Sequence, residues 1–297
     1  MDKDLIIGGA SNYDWDQLRN WVRSIKTTDY TGDIALVITN VTKETLDKLT
    51  EEGVTTFAYG RPDGNGGFEA HTNGAPHVER FFYIWNSIRN LKGYRNLIVT
   101  DTRDVIFQKN PSEYIDQVGG GIICASEGLL YKDEPWGSKN FLETFGPFFH
   151  EMHKEKLIYN VGTIGGDFEL VRDLMLMIFQ SSVNRPIPIV DQAVFNFLID
   201  YAPFSFHTHK AENKDFWAAQ LGTTIHAVKA GAGDIGASIA ANPSLLIQYQ
   251  MKYKDEQPII TEEGLVTNAE GEPFYIVHQY DRVFELKDKI NKRYEVQ

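Results

Sequence analysis

Residues 96–107 end an apolar, β-branched run in two carboxylates three positions apart, Asp101 and Asp104, and a second apolar run follows at once. Leu97, Ile98 and Val99 read as a buried strand. The C-terminal lip of such a strand is where open α/β sheets bind their ligands. Two hard oxygen ligands at that lip suit Mg²⁺ or Mn²⁺, ions that also hold substrate phosphates. The same pair equally suits an acidic turn in which an Asp caps the segment that follows.

Three further groups of residues could work with this pair. Asn160 opens a strand-like stretch in which Gly162, Gly165 and Gly166 let backbone approach a ligand, or merely a neighbouring strand. The run Ile187-Pro188-Ile189-Val190 leads into Asp191 and Gln192, a carboxylate and an amide at the start of a helical pattern. Asp191 would either cap that helix or face a site. A late strand over 274–278 ends in His278, with Asp281 and Arg282 just beyond. Its neutral imidazole would be a third metal ligand or an ordinary hydrogen-bonded residue.

These residues need elements to position them. Residues 4–10, 34–38, 54–59 and 97–100 read as strands. Residues 14–26 form an amphipathic helix pattern through Trp15, Leu18, Trp21, Val22 and Ile25, residues 42–51 a helix opened by Thr42, and residues 78–91 another. A Gly-, Asn- and Pro-rich loop is expected over 60–75. Strict alternation of this kind predicts an α/β fold with a doubly wound sheet. Beyond it, 122–126 and 159–165 read as strands, and 169–182 and 191–199 as helices. No repeat, low-complexity tract or linker interrupts the chain, so 1–297 is expected to form a single domain.

Composition narrows the function. The 297 residues are 42% hydrophobic and 24% charged, as in an ordinary globular chain. A net charge of −12 argues against nucleic-acid binding, which needs a basic face, and against an anionic membrane surface. The single cysteine, Cys124, lies in the apolar run 121–125 and is expected to be a small core residue. No apolar run approaches the roughly 18 residues of a membrane span. The acidic N-terminus lacks a signal-peptide pattern, so a cytoplasmic location is the expectation, although Asn40-Val41-Thr42 fits a glycosylation sequon.

Taken as an ordered series, these motifs resemble a GT-A nucleotide-sugar glycosyltransferase, most closely the retaining enzymes of glycosyltransferase family 8. The series is a twisted α/β half, clustered aspartates near position 100, an Asn-x-Gly strand, an Asp-Gln helix start and a late-strand His. The resemblance implies a GT-A-like doubly wound mixed sheet flanked by helices, with 1–105 as the nucleotide-binding half and 106–297 as the acceptor half. It implies metal ligation by Asp101, Asp104 and His278, and Mn²⁺ or Mg²⁺ as cofactor. Asp191, Gln192 and Asn160 would be catalytic, and Ala10, Asn12, Arg80, Gly162 and Arg282 would contact the donor. That donor would be a nucleotide-sugar, a UDP-sugar ahead of a GDP-sugar, and the acceptor a glycan or other hydroxyl compound. Two departures stand out: the metal motif is Asp-Thr-Arg-Asp rather than Asp-x-Asp, and the usual His-x-x-Gly-x-x-Lys is missing. Arg282 would replace its lysine.

Two rivals remain at this stage. Residues 231–236 match GxGxxG behind the strand-like 224–228, the context of an NAD(P)-dependent oxidoreductase, although too little chain follows to complete the fold. A mobile loop over the donor is the other role for that segment. The second rival is a non-catalytic carbohydrate-binding protein, with Trp136, Trp217 and the run 145–149 stacking sugars.

Overall fold

The computed structural model describes residues 3–70, 72, 74–226, 252 and 255–295. The glycine motif at 231–236 lies outside the described residues.

The first half follows the alternation expected. β1 (Lys3–Ser11), α1 (Trp15–Lys26), β2 (Asp33–Thr39), α2 (Lys43–Glu51) and β3 (Thr55–Ala58) build a parallel edge of the sheet. Asp14 caps α1 by accepting from the Gln17 amide at 3.0 Å, while the Gln17 side chain accepts in return from the Asp14 N–H. Thr42 caps α2, accepting from the Thr45 N–H at 3.3 Å. The loop expected over 60–75 contains a small hairpin, β4 (Arg61–Pro62) with β5 (Phe68–Glu69). α3 (Pro76–Ile88) then leads into β6 (Tyr94–Thr100).

The second half is β7 (Val105–Phe107), α4 (Pro111–Val118), β8 (Ile122–Leu130), α5 (Pro135–His153), β9 (Leu157–Asp167), α6 (Phe168–Ser182) and α7 (Asp191–Asp200), followed by short strands. These are β10 (Thr208–Ala211), β11 (Ala218–Gln220), β12 (Ile259–Ile260), β13 (Val266–Thr267) and β14 (Ile276–His278), and α8 (Phe284–Glu295) closes the chain. The main sheet has seven strands in the order β10-β8-β9-β6-β1-β2-β3, with β9 antiparallel to both neighbours. A second sheet has the order β11-β14-β7. The fold is one mixed α/β domain with helices on both faces of its central sheet.

Side-chain alternation along β1 and β6 divides the core in two. Leu5, Ile7, Leu97 and Val99 pack with α3, α6 and α7, while Ile6 and Ile98 pack with Leu18, Trp21, Val22 and Ile25 of α1. Cys124 is fully buried, and burial pushes its thiol pKa up, as suits a core residue. α5 escaped the sequence reading because Gly146, at φ 80°, and Pro147 break its pattern in the middle. Phe145 and Phe149 of its aromatic run pack on Phe197 of α7, and Trp217 is fully buried. Those rings are core, which removes most of the case for sugar-stacking aromatics. Phe148, also in that run, and Trp136 are exposed.

Candidate active site

β6 ends at Thr100, and the chain turns through residues 101–104 before β7 begins. Thr102 pins that turn to β1 by donating to the Gly9 carbonyl at 3.1 Å. The turn resolves the unusual Asp-Thr-Arg-Asp spacing, because it brings both carboxylates to one imidazole. Asp101 Oδ2 lies 3.4 Å and Asp104 Oδ1 3.7 Å from His278 Nε2. The three ligand atoms all fall within 4.8 Å of one another.

β14 delivers His278 by pairing with β7, His278 opposite Val105, and with β11, His278 opposite Gln220. Gln220 therefore stands beside the ring, and its Oε1 lies 2.7 Å from His278 Nδ1. Gln220 Nε2 donates to Thr163 Oγ1 at 2.7 Å, and its Oε1, which can only accept, meets the ring. The imidazole proton thus sits on Nδ1 and the Nε2 lone pair faces the two aspartates. Burial lowers the His278 pKa, favouring the neutral, ligating form. Gly162 makes this packing possible. A Cβ there would stand 2.7 Å from the His278 ring, 2.9 Å from Asp101 Oδ2 and 3.0 Å from Asn160 Oδ1. Gly162 backs the site rather than lining it.

A second cluster stands beside the first. Glu127 on β8 accepts at Oε1 from Asn160 Nδ2 at 2.8 Å and from Gln192 Nε2 at 3.2 Å. Asn160 Oδ1 accepts from the Gly162 N–H at 2.7 Å, so both ends of that amide are engaged. Asn196 clasps α7 to β9 through both backbone groups of Tyr159, which sets Gln192 relative to Asn160. Burial pushes the Glu127 pKa up to about 7. Nothing in the sequence flagged Glu127 or Gln220. Each is a polar residue in a mostly apolar strand, and its partners are more than thirty positions away in sequence.

Asp191 is not the helix cap that its position suggested as one option. It is the first residue of α7, makes no capping hydrogen bond and is 4% exposed. Its Oδ2 instead accepts from Arg80 NH2 at 3.2 Å, and Arg80 NH1 donates to Asp101 Oδ1. Arg80 therefore joins the two clusters.

Two cavities meet at this arginine. One, of 450 Å³, contains Ala10, Asn12, Thr39 and Asn40 in its wall, together with His77 and Arg80. The other, of 470 Å³, shares His77 and Arg80 and contains Asp101, Glu127, Asn160, Asp191, Gln192, His278 and Arg282. Arg282 also sits 3.4 Å from Asp281. Of the residues to which the resemblance gives a role in the site, all but Asp104 and Gly162 line one cavity or the other, and those two lie beside His278.

No protein-family model matches the chain, and the search of curated proteins found no match either. Solved structures do resemble it. The galactosyltransferase LgtC, in complex with donor and acceptor sugar analogues, superposes with a TM-score of 0.54 at 11% identity over 97% of this chain and 95% of that one. An active-site mutant of LgtC gives a TM-score of 0.51 at 12% identity, covering 96% and 95%. The bifunctional glycosyltransferase WbbM gives 0.53 at 14% identity over 98% of this chain, which spans only 52% of WbbM. The chain has the mixed α/β fold that these glycosyltransferases share, as the motif order implied. Among the described residues, no helix is long and apolar enough to cross a membrane.

Proposed function

We propose that this chain is a glycosyltransferase that moves a sugar from a nucleoside-diphosphate donor, a UDP-sugar ahead of a GDP-sugar, to a hydroxyl of a glycan. One observation carries the reading: Asp101, Asp104 and His278 come together, and Asp101 and His278 line a cavity that also holds Asp191, Gln192 and Asn160. The fold shared with LgtC and WbbM supports it.

Asp101, Asp104 and His278 Nε2 would hold a divalent cation, whose chemistry is to neutralise the charge growing on the departing diphosphate. Two carboxylates and an imidazole suit Mn²⁺ better than the all-oxygen shell of Mg²⁺. Residues 1–105 serve as the donor half, with Ala10 and Asn12 against base and ribose in the first cavity. Residues 106–297 serve as the acceptor half. Arg80 turns from Asp101 towards the donor sugar as the site fills, and Arg282 adds positive charge near the leaving phosphate. Asp191 presents its carboxylate, and Gln192 its Oε1, to the oxocarbenium-like carbon. Glu127 positions the Gln192 and Asn160 amides. In a retaining route the departing phosphate takes the acceptor proton, and no separate general base is required.

A thermal-shift comparison of UDP, GDP and ADP, each with and without Mn²⁺, tests the donor site. A ligand that binds only the native state raises Tm by mass action. The expected result is a rise with UDP that needs Mn²⁺, followed by UDP release from a UDP-sugar panel. No metal-dependent shift with any of the three nucleotides would remove the reading.

A further inference from the structure

We propose that the acceptor is an oligosaccharide, and that Trp136 forms a distal subsite for a sugar unit beyond the one that reacts. The inference rests on the glycosyltransferase reading and adds the length of the acceptor to it.

Adjacent cavities share wall residues. The nucleoside cavity joins the reaction cavity through His77 and Arg80. The reaction cavity joins a third through Trp136 and Ile189, and the first and third share no residue. The third cavity therefore adjoins the reaction cavity and not the nucleoside cavity, which suits the part of an acceptor that does not react. Its 220 Å³ falls below the roughly 300–1,000 Å³ of a self-sufficient ligand pocket, which marks it as an extension of its neighbour.

Its chemistry fits a pyranose ring. Trp136 is 46% exposed, whereas Trp21 and Trp217 are fully buried. Ile187, Pro188 and Ile189 form the apolar wall, and Asn140 with the exposed Lys139–Glu143 pair, 3.7 Å apart, completes the lining. A flat apolar indole with donors and acceptors around it matches a sugar, which offers an apolar C–H face and hydroxyls at its edge.

The subsite is also held in shape. Glu134 caps the start of α5 by accepting from the Trp136 and Gly137 amides, which fixes where the indole begins. Asn140 Nδ2 donates to the Ile189 carbonyl at 2.5 Å, and Arg185 NH1 to the Thr144 carbonyl at 3.1 Å. These bonds tie the wall to α5, so little ordering is needed when a ligand arrives.

The test is a ligand-observed NMR titration, in UDP and Mn²⁺, of wild type, Trp136→Ala and Trp136→Phe. Probes are glucose, galactose and mannose and their oligosaccharides of two to four units. At least one oligosaccharide series is expected to bind more tightly than its monosaccharide. Trp136→Ala should weaken that oligosaccharide about five- to tenfold, the scale of one aromatic contact, weaken its monosaccharide less, and be largely rescued by Trp136→Phe. Oligosaccharides binding no better than monosaccharides, or an advantage that survives in Trp136→Ala, would overturn the subsite. Release of UDP from UDP-sugars by wild type tests the underlying reading separately.

Discussion

The two clusters joined by Arg80 are built in opposite ways. The aspartate–histidine corner sits where strands end: Asp101 follows β6, Asp104 precedes β7 and His278 closes β14. The amide corner is set in the middle of β8 and β9 and on the first turn of α7, with its polar atoms bonded to one another. The first turns His278 Nε2, Asp101 Oδ2 and Asp104 Oδ1 towards one another, while Asp101 Oδ1 accepts from Arg80. The second uses most of its hydrogen-bonding capacity internally and leaves one or two groups aimed at the cavity. Substitutions should therefore abolish ligand binding in the first corner and slow transfer in the second.

The largest effect belongs to the aspartates. Asp101→Ala or Asp104→Ala should eliminate the Mn²⁺-dependent Tm rise with UDP while the free protein still unfolds cooperatively. If both single variants keep that rise, the corner is not a metal site. Asp191→Asn comes next. Because Asp191 caps nothing, folding and UDP binding should persist while transfer falls roughly a hundredfold, the scale of one lost electrostatic group. Near wild-type transfer would return the residue to a purely structural pairing with Arg80.

A smaller loss is expected one layer out. Gln220→Met leaves His278 in place but frees its tautomer, and such second partners of a metal ligand typically contribute about 10–100-fold in affinity. Mn²⁺ titration followed by electron paramagnetic resonance would read the change directly. Unchanged affinity would mean that strand pairing alone orients the ring.

The smallest effect concerns stability. The folded Glu127 pKa of about 7 lies above its ordinary 4.5, so the native state favours the protonated carboxyl. That contribution is complete below about pH 4.5 and is lost as pH rises through about 7. Glu127→Gln keeps an oxygen acceptor for Asn160 and Gln192 and does not titrate. Relative to wild type it should gain about 1–3 kcal/mol between pH 4.5 and pH 8.5. Urea midpoints at both values check this, and parallel pH profiles would contradict a buried ionisable Glu127.

The sequence by itself determined the alternation of the first half, because period-2 and period-3.6 patterns with Asp14 and Thr42 at helix starts are local signals. It also determined the carboxylate pair, the Asn-x-Gly, the Asp-Gln and the late His, since strand ends and helix starts can be recognised from neighbouring residues. Only the tertiary structure decided what these residues face. Asp191 looked equally able to cap α7 until Arg80, 111 positions away, proved to be its partner. The Asp-Thr-Arg-Asp spacing became a single site only through the turn after β6 and the pairing of β14 with β7. Gln220 acquired its place beside His278 from a strand register, and Glu127 its role from burial against β9 and α7. Helix and strand periodicity is written by residues a few positions apart, whereas a site's hydrogen bonds and burial arise between distant segments and exist only once the sheet has formed.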